Sequence, residues 1–118
     1  MGITTLTMQV ANPAAPEVTE SLEFIVDSGA TFSVVSADVL RRLGIRPLQQ
    51  ETFELANNAR ISRWTGGALF KFREYQGFAP VIFGEPDDAT LLGALSLEAL
   101  GLGLDPIKRE LRRITLTL

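Results

Sequence analysis

The sequence predicts a mostly β fold with two short helices, and three observations carry that prediction. Apolar and polar residues alternate at period two near both ends and again in the middle of the chain. Breaks rich in Gly, Asn, Asp and Pro recur at short intervals and leave no room for long helices. Only two stretches carry helix start and stop signals. At 118 residues the chain reads as one domain, spanning 1–118 and able to bury a single core.

The elements follow in order. Thr5 to Val10 alternates, with Leu6, Met8 and Val10 on one face, and reads as a strand. Asn12 to Pro16 is a turn region, and Ser21 to Val26 is a second strand. Thr31 to Val35 resumes extended and apolar. Ser36 to Gly44 reads as a short helix: Ser36 caps its start, Asp38 suits the first turn, Arg41 and Arg42 suit the last, and Gly44 closes it. Thr52 to Ala56 and Arg60 to Trp64 are strands on either side of Asn57-Asn58, a pair tolerant of left-handed backbone. Gly66-Gly67 is expected to break the second of these, with a new strand from Ala68 to Glu74. Trp64 is expected to be a packing residue. Ala79 to Phe83 is a further strand, and Gly84 to Asp88 is a polar turn. Ala89 to Leu92 is a short strand, Ser96 to Leu100 a second helix closed by Gly101, and Leu102 to Leu104 is extended. Glu110 to Leu118 alternates once more.

Composition narrows the chemistry. There is no cysteine and no histidine, which excludes disulfides, thiol catalysis, Ser-His and Cys-His nucleophile systems, and the common zinc sites. A hydrolase built from this chain works mainly with carboxylates, hydroxyls, lysines and arginines. The net charge of −3 argues against a nucleic-acid partner. The basic clusters Arg41, Arg42, Arg46 and Lys108, Arg109, Arg112, Arg113 read as solvated faces. The apolar fraction of 46% is high for so small a domain and hints at a buried subunit interface. The first residues lack the pattern of a signal peptide. Leu91 to Leu104, the longest apolar region, is too short to span a bilayer and is interrupted by Glu98. The expectation is a cytoplasmic protein without a membrane partner.

One stretch stands out: Phe24-Ile25-Val26-Asp27-Ser28-Gly29-Ala30-Thr31. An apolar strand ends on a carboxylate, although an unpaired buried charge is costly. The Ser-Gly pair then permits a tight turn, so Asp27 sits at a fixed point between two core strands. A weak echo follows. Leu91-Leu92-Gly93-Ala94, like Val26 to Ala30, leads into a short helix that ends Leu-Gly-apolar.

The first block resembles the catalytic loop of the retropepsin-like (retroviral-type) aspartic proteases, an apolar run followed by Asp-Thr/Ser-Gly-Ala. The second block, Leu91 to Asp105, resembles the Leu-Leu-Gly loop and helix that mirror it in that family. Val81-Ile82-Phe83-Gly84-Glu85-Pro86 is similar to the bacterial and archaeal single-domain members. The likeness runs from about Phe24 to Leu111. It implies a retropepsin-like acid-protease half-barrel with a flap hairpin. Asp27 is then the catalytic carboxylate. Ser28 is the hydroxyl that locks two loops across a dimer axis, Gly29 turns the backbone and offers its amide, and Ala30 packs beneath. The flap runs from about Phe53 to Trp64 with its tip at Asn57, Asn58, Ala59 and Arg60. That tip lacks the glycine common in the family.

The resemblance implies a homodimeric aspartic endopeptidase, because each chain carries one such aspartate and hydrolysis of this kind uses two. Terminal strands, Ile3 to Gln9 or Ile114 to Leu118, are expected to build the dimer sheet. The substrate is a peptide or protein bound as an extended strand. No cofactor and no metal is implied. The alternative is a catalytically silent dimer of the same fold that binds peptides or proteins without cutting them. Two other readings are set aside. A carboxylate-pair glycosidase needs two different acids, and the remaining candidates, Asp38, Asp87, Asp88 and Asp105, sit in caps and turns. A calcium site at Glu85, Asp87 and Asp88 lacks the spaced ligand pattern.

Overall fold

A computed structural model describes residues 3–105 and 107–114. The strands are β1 (Thr5–Asn12), β2 (Ala15–Val26), β3 (Ser33–Ser36), β4 (Gln49–Glu54), β5 (Arg60–Phe72), β6 (Tyr75–Gly84), β7 (Leu91–Leu92), β8 (Leu102–Asp105) and β9 (Glu110–Arg113). The helices are α1 (Ala37–Arg42) and α2 (Ala94–Leu100). Seven strands form one sheet in the order β1-β2-β7-β3-β6-β5-β4, and β1 also pairs with β5, so the sheet curls back on itself. β8 and β9 make a separate hairpin.

The topology follows from the alternation. In β1 the inward residues Met8 and Val10 are buried while Thr5, Thr7 and Gln9 are exposed. Phe24 from β2 meets Phe70 from β5 with ring centroids 6.1 Å apart, and both are fully buried. Val35, Leu40, Val81, Leu92 and Leu100 complete one contiguous core. That core lies under the middle of the sheet, where β7 runs parallel to β2 and antiparallel to β3.

Several expectations change. The first turn is only Pro13-Ala14, because Asn12 Oδ1 accepts from Ala14 N at 2.9 Å and lets β2 start at Ala15. β5 runs unbroken from Arg60 to Phe72 through Gly66-Gly67. Those glycines make room rather than break the strand: a Cβ on Gly67 would overlap the Phe78 ring, and one on Gly66 would press on the Arg46 carbonyl and the Phe83 ring. Trp64 lies outside the buried core, with nearly half of it exposed.

Helix α1 begins as its sequence suggests, with the Ser36 hydroxyl accepting from Asp38 N. Helix α2 starts two residues earlier than expected and has no capping side chain at Gly93. Its first amides are satisfied otherwise: Ala94 N and Leu95 N donate to the carbonyls of Ala30 and Thr31. The N-terminal segment Thr5 to Gln9 already pairs with Ser21 to Ile25. Of the other segment expected at a dimer sheet, Ile114 is exposed and residues 115–118 lie outside the described residues.

Candidate active site

Asp27 is the first residue past β2. Its amide donates to the Leu92 carbonyl at 3.0 Å, which ties it to β7. The turn then closes on itself. Ala30 N donates to Asp27 O at 3.1 Å, and Gly29 N donates to the carboxylate oxygen Oδ1 at 3.0 Å. The side chain is therefore aimed by its own loop. Asp27, Ser28 and Gly29 are all exposed on the single chain, and Ala30 is half-buried. An exposed carboxylate avoids the desolvation cost that an isolated buried charge would carry.

Beneath the loop lies a buried hydroxyl pair that sequence inspection did not single out. Ser33 Oγ and Ser96 Oγ are 2.6 Å apart, and Gly93 N donates to Ser33 Oγ at 2.9 Å. Both serines are fully buried. Every polar atom in this group has a partner, as buried polar groups require. The pair joins β3 to α2 and, with the Ala30 and Thr31 carbonyls, stitches the loop to the second block. The only advance signal was a hydroxyl at an inward position of an apolar strand.

The hairpin of β4 and β5 stands over this floor. Its register pairs Phe53 with Ile61 and Glu54 with Arg60. Asn57, Asn58, Ala59 and Arg60 form the exposed tip. Asn58 takes the left-handed backbone, with φ of 67°, and its amide donates to Leu55 O. Ala59 N donates to Asn57 Oδ1, and Leu55 N to Ala59 O. Asparagine thus fills the backbone role that glycine commonly takes in such turns.

Between floor and hairpin lies a cleft of about 430 Å³. Gly29 and Ala30 reach it from the loop, and its apolar lining includes Phe32, Val34, Phe53 and Ile82. The hairpin contributes its flanks, Phe53 to Leu55 with Ile61 and Arg63, rather than its tip. Phe32 and Phe53 meet edge to face at 5.6 Å and 71°, a favoured aromatic geometry.

The cleft also contains one charged pair. Arg63 donates from Nε and Nη2 to the two carboxylate oxygens of Asp88, at 2.8 and 3.0 Å. Their side chains are 14% and 24% exposed. The Arg63 fork holds the Asp88 carboxyl below its ordinary 3.8. A carboxyl depressed on folding adds stability above that ordinary value and loses it only as pH falls through the lower folded value. Asp88 lies in the polar turn that the sequence predicts, and its partner lies 25 positions away on β5.

Residues 18–74, which hold both the Asp27 loop and the hairpin, match the family model described as aspartyl protease. The structure is similar to the solution structure of a protease from simian foamy virus (mac). The TM-score is 0.52 at 20% sequence identity, over 79% of this chain and 92% of that one. No curated protein matches the chain. The fold is the retropepsin-like one: mostly β, with two short helices.

Proposed function

We propose that this chain is an aspartic endopeptidase that works as a homodimer, with Asp27 from each of two copies forming the reacting pair. The observation that carries this reading is the Asp27 loop: its carboxylate is oriented by Gly29 N and exposed on the single chain, and its Gly29 and Ala30 line a largely apolar cleft beside a hairpin. One such loop per chain calls for a second copy, and a two-fold axis brings two identical loops together without further design.

Two carboxylates brought within a few ångströms cannot both ionise, so they share one proton. The ionised member takes a proton from water as the water attacks the scissile carbonyl. The protonated member gives its proton to the carbonyl oxygen. The pair titrates as a unit. Ser28 would bond across the axis, with Gly29 N holding the near carboxylate oxygen in place. The peptide would enter as an extended strand, its side chains alternating into apolar space beside Phe32, Val34 and Ile82.

The test is incubation with a peptide mixture between about pH 4 and 7, the range where a shared-proton carboxylate pair can act. Cleavage should appear and should fall by about a thousandfold or more in Asp27→Asn, in keeping with loss of acid–base catalysis. Peptides bound but left intact by the unaltered protein would favour the silent binding module instead.

A further inference from the structure

The strongest uncommitted feature is the charged pair in the cleft wall. Arg63 belongs to the return strand of the hairpin, and Asp88 ends the turn that leads from β6 to β7. Both line the same cleft. We infer that Arg63 and Asp88 are positioning residues for the cleft: they fasten the base of the hairpin to the opposite turn and so set the width of the slot that a peptide must enter. This inference rests on the cleft being the peptide site.

The geometry carries it. A two-pronged guanidinium–carboxylate contact fixes orientation as well as distance, which a single hydrogen bond does not. Each guanidinium nitrogen of Arg63 and each carboxylate oxygen of Asp88 has a protein partner. Arg63 Nη1 donates to the Ser62 carbonyl at 3.0 Å, while Nε and Nη2 serve Asp88. Asp88 Oδ2 also accepts from Glu85 N at 2.8 Å, and Asp88 N donates to Glu85 O at 2.8 Å. The same carboxylate therefore shapes its turn and holds the hairpin.

The neighbouring charges do not compete. Glu85 lies 3.7 Å from Arg63 and is mostly exposed. Glu51 sits opposite Arg63 in the hairpin register, but its carboxylate accepts from Thr65 Oγ1 and Gln49 Nε2. Asp87 is exposed.

The position along the hairpin matters too. Phe53 and Ile61, paired across the hairpin, lie two residues nearer the tip than Glu51 and Arg63. From Thr65 onward β5 is paired to β6. With the ion pair intact, the freely moving part of the hairpin begins beyond Arg63. Without it, the hinge retreats to Thr65 and the slot loses its fixed wall.

Three variants test this: Asp88→Asn, which keeps an oxygen for Glu85 N; Arg63→Lys, which keeps the charge but loses the fork; and the double exchange Arg63→Asp/Asp88→Arg. Amide hydrogen exchange is followed in the unaltered protein and in each variant. In the two single variants, amides in 49–54 and 60–63 should exchange about tenfold faster, while Val26, Phe70 and Leu92 stay within about twofold, the pattern of local opening. On the best-cleaved peptide of the mixture, KM should rise several-fold with kcat nearly unchanged. The double exchange should restore most of the hairpin protection. Unchanged hairpin exchange, or hairpin and core rising together, would overturn the inference. If the unaltered protein cleaves nothing, the hydrolase reading fails, and the exchange data alone decide whether the pair holds the hairpin.

Discussion

The Asp27 loop and the tip of the β4–β5 hairpin are both short, exposed and built from small polar residues, yet they are held in opposite ways. The loop is bonded outward into the body of the fold. Asp27 N reaches Leu92, and the Ala30 and Thr31 carbonyls receive the first amides of α2. Ser33 anchors Gly93 and Ser96 beneath it. The tip is bonded to itself: the contacts among Leu55, Asn57, Asn58 and Ala59 are all internal. A reacting group must be held to within a fraction of an ångström, whereas a cover over a cleft must move to admit substrate. The contrast teaches that one cleft combines a floor bonded into the fold with a hairpin whose tip is bonded only to itself, the two joined at Phe32–Phe53 and Arg63–Asp88.

The contrast can be broken most forcefully from below. Gly93 is in ordinary extended conformation, but a Cβ there would lie 2.5 Å from the Phe32 carbonyl oxygen and 2.9 Å from that of Thr31. Gly93→Ala must push the loop away from α2. The expected loss is about 1–3 kcal/mol, the usual cost of overpacking a tight site, read from the urea midpoint. Cleavage should fall more steeply than stability, because the displaced loop carries Asp27. An unchanged midpoint with full cleavage would show that the floor is not held as described.

At the tip the effect should be smaller and local. Asn58→Ala places an ordinary side chain at a positive φ and should cost about 1 kcal/mol. Asn58→Gly should cost little, since glycine adopts that backbone freely. Neither should speed exchange in the core or alter the floor. Faster exchange confined to residues 55 to 60 in the alanine variant, and not in the glycine variant, is the pattern to look for. A global loss of stability in both would mean that the tip is not self-contained.

How much of this was legible in the sequence depends on how far apart the interacting residues lie. The Asp27 turn was readable because its signals are consecutive: apolar strand, carboxylate, Ser-Gly, apolar strand. Helix α1 was readable from Ser36 and its flanking charges. The left-handed residue at Asn58 followed from the Asn-Asn pair, and the left-handed close of α2 at Gly101 from its glycine. Gly66-Gly67 misled, because glycine can mark a break or a close approach, and only the rings of Phe78 and Phe83 decide which. The start of α2 was misplaced because its first amides are satisfied by carbonyls more than 60 positions earlier, not by a local cap. Ser33 with Ser96, and Arg63 with Asp88, meet only once the sheet order is fixed. Each residue alone looked like a cap, a strand position or a solvated turn.

The central claim is that one carboxylate per chain becomes half of a reacting pair. A mixing experiment tests it most directly. Unaltered protein and Asp27→Asn protein are unfolded and refolded together, with the inactive chain in ninefold excess, and peptide cleavage is measured per unaltered chain. If the two acids come from two copies, random pairing leaves about one unaltered chain in ten with an unaltered partner, so cleavage per unaltered chain drops about tenfold. Cleavage per unaltered chain that does not change with the excess of Asp27→Asn protein would contradict the account.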